Sequence, residues 1–417
     1  MSDKFGGMFG SNEPAQRPAP GVLAVSGFGN TGAVETEEGL VLVDVPVEVQ
    51  MPGTMRRLRA TAPGRVHTLF VTHGHLDHAC SLEPLFREAR EKGWAPPRVI
   101  AQRNVQKRLD KYRLLHGYHD HINRIQFRVP TGTPAFPYPD RNPDVVFDRS
   151  LSLCVGGIDF HAFHEMGETD DASWVWVPEK KTVFAGDLVV WSFPNVGNPF
   201  KVQRYTLEWA EGLEHILSKE PDVLVPGHGP VLQGRQKIRE TLLKVSSVLR
   251  FLHREVVDRL NAGMGYEDIL HEVQVPPDMT DDGFLAPRYG CPTFVVHGIL
   301  RQYTGWYDGN PSHLFPPRRA EVAREVAALA GSDRLLARAG TLHGEGRSDL
   351  ALQLLDMALE SGLPGDAAFK GHMLKAEILK GLAERERSFI ARNIYHNGHL
   401  EELARGEGRK MDRSRTP

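Results

Sequence analysis

Between Gly21 and about Val49 the chain passes through two short apolar, β-branched runs, VLAV and LVLVDV, separated by glycine-rich and acidic turns. Runs of that length with that punctuation predict the strands of a hairpin or meander. A basic amphipathic stretch, PGTMRRLRATAP, predicts a helix, and the apolar run HTLFV predicts a buried strand that stops at a histidine cluster. The 3.6-residue apolar period of LEPLFREAREKG gives a second helix, and PRVIAQ, SWVWVP and KTVFAGD give further strands. A helix between Leu207 and Gly227 leads into DVLVPGHG. Strands and helices thus alternate over roughly the first 240 residues, the pattern of a layered α/β architecture.

After about Gln233 strand signals nearly vanish. Helix-period segments take over: KIRETLLKVSSVLRFLHREVVDRLNAG, AEVAREVAALAG, DRLLARAGTLHGEG, DLALQLLDMALESG and AAFKGHMLKAEILKGLAER. Four of the five end at glycine, the expected helix stop. The pair from Asp333 to Gly362 has the look of a tetratricopeptide-type hairpin, with too few units for a solenoid. These patterns predict a flexible N-terminus (residues 1–20), an α/β domain (21–243), an α-helical domain (244–400) and a frayed, charged tail (401–417). The stretch LLHGYHDHINRIQF reads as a loop, its His116, His119, Asp120 and His121 lacking any obvious distal partner ligand.

Length and composition narrow the classes. The 417 residues suit two or three domains, 41% apolar and 25% charged residues are the ordinary globular balance, and 50 basic against 53 acidic residues give no general pull toward nucleic acid. No run reaches the roughly 18 apolar residues of a membrane span, and the first residues carry no signal-peptide core. Cys80, Cys154 and Cys291, an odd number at wide spacings, do not form a disulfide framework. A cytoplasmic protein is the expectation.

The densest chemistry lies in VTHGHLDHA, where His73, His75, Asp77 and His78 follow a buried strand within one loop. Imidazoles and carboxylates suit zinc, manganese or iron, and a loop at a strand end can turn neighbouring side chains toward two centres. SGFGNTG spaces Gly27, Gly29 and Gly32 as a dinucleotide-binding turn would, but a strand follows where a phosphate-binding helix is needed. Asp44, ending that strand, is expected to orient the metal loop.

The HxHxDH run resembles the signature of metallo-β-lactamase-fold hydrolases. That resemblance implies further ligands in order: Glu168 in MGETDDASW, where the family commonly has histidine, Asp187 in VFAGDL, and His228 in VLVPGHGPV. It implies a two-metal centre, with His73, His75 and Glu168 on one ion, Asp77, His78 and His228 on the other, and Asp187 bridging. Such a pair ionises water near neutral pH and orients substrate oxygens, so hydrolysis needs no nucleophilic serine, and Asp77 and Asp187 count among the catalytic residues. The glutamate is expected to make the site more anionic and more tolerant of manganese or iron than an all-histidine one.

Glutamate in this turn narrows the resemblance to alkylsulfatases of the superfamily. The segment YGCPTFVVHGILRQYTGWYDGNPSHLFP, Tyr289 to Pro316, is similar to the start of their helical dimerisation domain. The family commonly has glutamate at the position of Asp187, alanine-proline-alanine-glutamate in place of Thr169 to Ala172, and often a further sterol-carrier-like domain. The resemblance implies an αββα sandwich followed by an all-α dimerisation domain, two divalent ions per chain with zinc first, and a homodimer. It also implies hydrolysis of an anionic ester with an apolar tail, an alkyl sulfate. Arg204 and Arg288 are the candidate guanidinium grips for the anion, and Asn123, Gln126, Tyr289 and Tyr307 further substrate contacts. Two alternatives stand beside this: an acyl, lactone or thioester hydrolase with the same site, and a non-catalytic metal-binding dimer.

Overall fold

A computed structural model describes residues 13–129, 138, 141–280 and 283–409. The described chain separates into two compact units, one joining residues 1–116 with 136–306, the other joining 117–135 with 307–417.

The first unit contains two sheets. The seven-stranded sheet runs in chain order: β1 (Gln16–Ala19), β2 (Val22–Val25), β3 (Thr31–Thr36), β4 (Gly39–Val43), β5 (Val66–Val71), β6 (Arg98–Gln102) and β7 (Val145–Phe147). The second sheet has the order β13-β12-β11-β10-β9-β8, built from β8 (Ser150–Val155), β9 (Ile158–His164), β10 (Ser173–Val177), β11 (Thr182–Val190), β12 (Val223–His228) and β13 (Leu232–Gln233). Alternation along the strands divides their side chains between layers. Val41, Val43, Phe70 and Ile100 of the first sheet share a buried core with Phe160, Val175, Phe184 and Val225 of the second. Leu40, Leu42, Leu69 and Val99 point the other way, against α1 (Met51–Thr61), the short α2 (Leu76–Ala79), α3 (Glu83–Lys92) and α4 (Arg103–Leu114). Trp174, Val183 and Leu224 leave the second sheet's outer face to pack on α6 (Thr206–Leu217), α7 (Arg235–Asn261) and α9 (Pro292–Tyr303), with α8 (Tyr266–Glu272) beside them. The result is the four-layer αββα sandwich.

The second unit is all-helical. It holds all but the first residue of α5 (His116–Phe127), then α10 (Arg319–Ala330), α11 (Ser332–Gly344), α12 (Ser348–Glu360), α13 (Gly365–Arg385) and α14 (Phe389–Gly406). Ala339 and Leu342 of α11, Ala351 and Leu355 of α12 and Ile378 of α13 form its core.

The structure differs from the sequence expectation at four places. The boundary expected at residue 243 falls inside α7, which buries Ile238, Leu242, Val245 and Leu249 in the sandwich core, so the first unit continues to Trp306. The expected loop at His116 to His121 is the helix α5, because His119, Ile122, Asn123 and Gln126 recur at helical spacing and are buried. Of the expected flexible N-terminus, residues 1–12 lie outside the described residues, and Gln16–Ala19 pairs with β2 as a strand. Of the expected tail, residues 401–406 finish α14 and residues 410–417 lie outside the described residues. Among the described residues no helix is long and apolar enough to cross a membrane.

Candidate metal centre

The parallel pair β5 and β4 ends where the histidine loop begins. Val71 is the last strand residue, Thr72 and His73 leave it, and His75 caps the N-terminus of α2, whose single turn carries Asp77 and His78. From the second sheet, Asp187 arrives on β11 at a break in register with β12, where Gly186 takes φ +51°. A Cβ on Gly186 would stand 2.6 Å from the Thr72 hydroxyl, so only glycine permits the bulge this close to the histidine loop. His228 ends β12, and Glu168 lies in the turn between β9 and β10.

These seven side chains converge in two groups, His73, His75, Glu168 and Asp187 in one, Asp77, His78 and His228 in the other. Asp187 faces both. Its Oδ2 lies 3.5 Å from His73 Nε2 and 4.0 Å from His75 Nδ1, while its Oδ1 lies 3.2 Å from His78 Nε2 and 3.3 Å from His228 Nε2. The Asp77 carboxylate is 3.5 Å from His228 Nε2 and 3.8 Å from His78 Nε2. Glu168 Oε2 is 4.0 Å from His75 Nδ1.

Neighbouring groups fix which nitrogen each histidine presents. Asp44 accepts from the Thr72 amide at 2.7 Å and from the Thr72 hydroxyl at 2.8 Å. Its Oδ2 is also 2.9 Å from His78 Nδ1, which must carry the proton and leaves Nε2 as a lone-pair donor toward the site. The Thr72 hydroxyl proton being used on Asp44, its oxygen accepts from His73 Nδ1 at 3.0 Å, and His73 likewise presents Nε2. A second brace comes from Asp171. Its Oδ2 accepts from the Gly74 amide and from Arg108 Nε, each at 2.9 Å, tying the turn that carries Glu168 to the loop that carries His73 and His75. Arg108 also pairs with Asp170. Around His228, the Asn30 amide donates to the carbonyls of Pro226 at 2.9 Å and Gly229 at 2.8 Å.

Buried charge sets the electrostatics. Burial opposes protonation of His78, but Asp187, Asp44 and Asp77 outweigh it and hold the imidazole well above its ordinary value. His75 is half-buried, and desolvation together with the facing His73 holds it well below. For Asp187, burial works against ionisation, yet His228, His78 and His73 hold it well below the carboxylate range. Asp187 Oδ1 and His228 Nδ1 are nonetheless buried without an aligned hydrogen-bond partner. A cation among these groups would take the place of those imidazole protons, meeting ring nitrogens and a buried carboxylate oxygen that has no other partner.

The other expected site residues fall elsewhere. Arg204, expected to grip the substrate's anion, is buried in an ion pair with Glu168 and donates to the Asn195 carbonyl at 2.7 Å. Burial explains the change, since a desolvated guanidinium requires a fixed carboxylate and one is available in the ligand turn. Arg288 donates to the Gly283 carbonyl, and the Tyr289 amide donates to Ser192 Oγ at 2.9 Å. Asn123, Gln126 and Tyr307 belong to the helical unit, where the Asn123 amide is 3.3 Å from His119 Nδ1 and the Gln126 carbonyl accepts from Asn393 at 2.7 Å. The glycine-rich turn serves the metal loop instead of a dinucleotide. A Cβ on Gly29 would stand 2.3 Å from the Asp77 carbonyl oxygen. Sequence patterns missed Asp171, Arg108, Asn195 and Lys201. Burial pushes the Lys201 amine down to about 7 against the opposing pull of Asp77. The visible signals were the paired acids after Glu168 and the asparagine-rich loop after β11.

Residues 25–228 match the metallo-β-lactamase superfamily model and residues 266–405 the alkyl sulfatase dimerisation model. The chain is alkylsulfatase-like, with the metallo-β-lactamase fold followed by the dimerisation segment. Among its relatives is the linear primary-alkylsulfatase of a Pseudomonas species, 24% identical over 352 residues, covering 78% of this chain and 65% of that protein. The (R)-specific secondary-alkylsulfatase of Pseudomonas sp. is 24% identical over 89% of this chain and 59% of its own length. An alkyl/aryl-sulfatase of Saccharomyces cerevisiae is 22% identical over 74% of this chain and 52% of its own length. The chain therefore spans between about half and two thirds of these relatives. The solved structure of a stereoselective inverting sec-alkylsulfatase from Pseudomonas sp. superimposes with a TM-score of 0.80 at 20% identity, covering 94% of this chain and 65% of that one. That likeness establishes that this alkylsulfatase-like chain shares both the sandwich and the helical part of the fold.

Proposed function

We propose that the protein hydrolyses alkyl sulfate esters at a dinuclear centre, with His73, His75 and Glu168 on one ion, Asp77, His78 and His228 on the other, and Asp187 between them. The observation that carries this reading is the Asp187 carboxylate, which turns one oxygen toward each ligand group. The mixture of imidazole and carboxylate suits zinc first, and manganese or iron as well. Two such ions, when bound, supply Lewis acidity toward the ester and ionised water at neutral pH. The chain's own residues prepare the site: Asp44 and Thr72 set the tautomers of His78 and His73, and Asp171 holds the ligand loop. Lys201 lies in electrostatic reach of Asp77, and an anionic ester bound there would favour its protonated form. The choice of sulfate draws on the relatives, which carry the name alkylsulfatase. The match to the dimerisation model supports a homodimer, and three free cysteines suit a reducing, cytoplasmic setting.

One observation favours a second reading. With Arg204 held by Glu168, the guanidinium fork best suited to sulfate is already engaged, and the same centre would serve an acyl, lactone or thioester substrate. Elemental analysis together with sulfate release from dodecyl sulfate, before and after chelation, separates the readings. About two ions per chain and chelator-sensitive sulfate release are expected. Two ions without sulfate release would move the assignment to acyl substrates, and a metal-loaded protein inert toward both would leave a metal-binding dimer.

A further inference from the structure

Glu168 divides its two oxygens between different tasks. Oε2 faces His75 within the first ligand group, at 4.0 Å from Nδ1. Oε1 faces away and accepts from the Asn195 side-chain amide at 2.9 Å and from the Arg204 guanidinium. The same guanidinium nitrogen donates to the Asn195 backbone carbonyl, so donor and loop are tied together, and both Glu168 and Arg204 are buried.

We propose that Arg204 and Asn195 make Glu168 a one-oxygen, charge-compensated ligand, the electrostatic equivalent of a neutral imidazole. This rests on the two-metal reading above. A free carboxylate can coordinate through one oxygen or both. Here two donors occupy Oε1, and withdrawing it to chelate an ion would leave a buried cation unpaired. The positive charge of Arg204 cancels that of the carboxylate, so glutamate in this turn adds no net charge to the first ligand group. The exchange of histidine for glutamate is then a two-residue exchange, histidine alone for glutamate with its arginine. Arg204 is a positioning residue, and the site loses the extra negative charge that the glutamate by itself implied.

The test compares Glu168→His, Arg204→Leu, the double variant and the conservative Arg204→Lys, reading zinc affinity by chelator competition, the visible spectrum of the cobalt-substituted protein, and the melting temperature of the metal-free form. Glu168→His alone strands Arg204 beside an ion, and first-site affinity is expected to fall by up to about a hundredfold. The double variant is expected to recover to within about tenfold of wild type, and Arg204→Lys to stay close to it. In Arg204→Leu, Oε1 keeps only the Asn195 donor and no longer pairs a buried cation, so it can turn to the ion, and the cobalt bands weaken as the coordination number rises. Equal affinities in Glu168→His and the double variant would overturn the proposal, as would an unchanged cobalt spectrum in Arg204→Leu, which decides the matter if Glu168→His fails to fold. Wild-type protein that takes up no metal would overturn the two-metal reading and this proposal together, whereas the other negative outcomes remove this proposal alone.

Discussion

Asp44 adopts φ 63°, in the left-handed region that residues with a side chain seldom enter. In that conformation a single carboxylate reaches the Thr72 amide, the Thr72 hydroxyl and His78 Nδ1. Backbone strain at one residue is thus exchanged for fixed tautomers at two candidate ligands. Asp44→Asn keeps the shape but loses the acceptor that enforces the His78 tautomer. Its expected effect is a loss of metal affinity of about 10- to 100-fold. Competition with a chelating dye measures it, and unchanged affinity would show that the tautomer is fixed by other contacts.

Among the elements, α14 shows how far the chain could be read from its pattern. Strands such as Val66–Val71 and helices such as Glu83–Lys92 were legible because apolar period and terminal glycine agree. The sequence FIARNIYHNGHLEELARG has no such stripe, and the residues α14 buries include Asn393, Asn397 and Glu402. Asn393 and Glu402 on its inner face are satisfied by polar partners from distant segments, which no local period can announce. The same holds at the metal centre. The seven residues that converge were each singled out by motif order, whereas Asp171, Asn195 and the ion-pair partner of Arg204 depend on loops meeting across long sequence separations. On α14, Glu402 is 2.6 Å from His372 Nδ1, 3.1 Å from Lys375 and 2.8 Å from Arg405, and Lys375 also binds Asp356 of α12. Burial works against the ionised form of Glu402, but its hydrogen bond with His372 and the charges of Lys375 and Arg405 outweigh it and lower its pKa. A carboxylate lowered on folding contributes stability above its unfolded value of about 4.3, and that contribution is lost as pH falls through the folded value. Glu402→Gln should therefore cost about 3 kcal/mol at pH 7, with the gap from wild type closing in acid below pH ~4. Urea melts across that range check the sign, and a gap that persists in acid would assign the loss to packing.

At the scale of the whole molecule, all seven metal-capable residues belong to the first unit, and the Glu402 network belongs to the second. Ligand binding stabilises only the structure that forms the site. Stripping the ions from the protein should therefore lower the unfolding transition of the sandwich while leaving that of the helical unit in place. On the two-ion reading, ions each at about a thousand times their dissociation constant would contribute about 4 kcal/mol apiece. At roughly 2 °C per kcal/mol for a unit of this size, the sandwich transition should fall by about 15 °C on chelation. Glu402→Gln should do the reverse, moving the helical transition and sparing the other. Scanning calorimetry of the full chain, with and without chelator, resolves the two. If chelation and Glu402→Gln each shift a single common transition, the units unfold as one cooperative body, and metal uptake then stabilises the helical half as much as the half that holds the ligands.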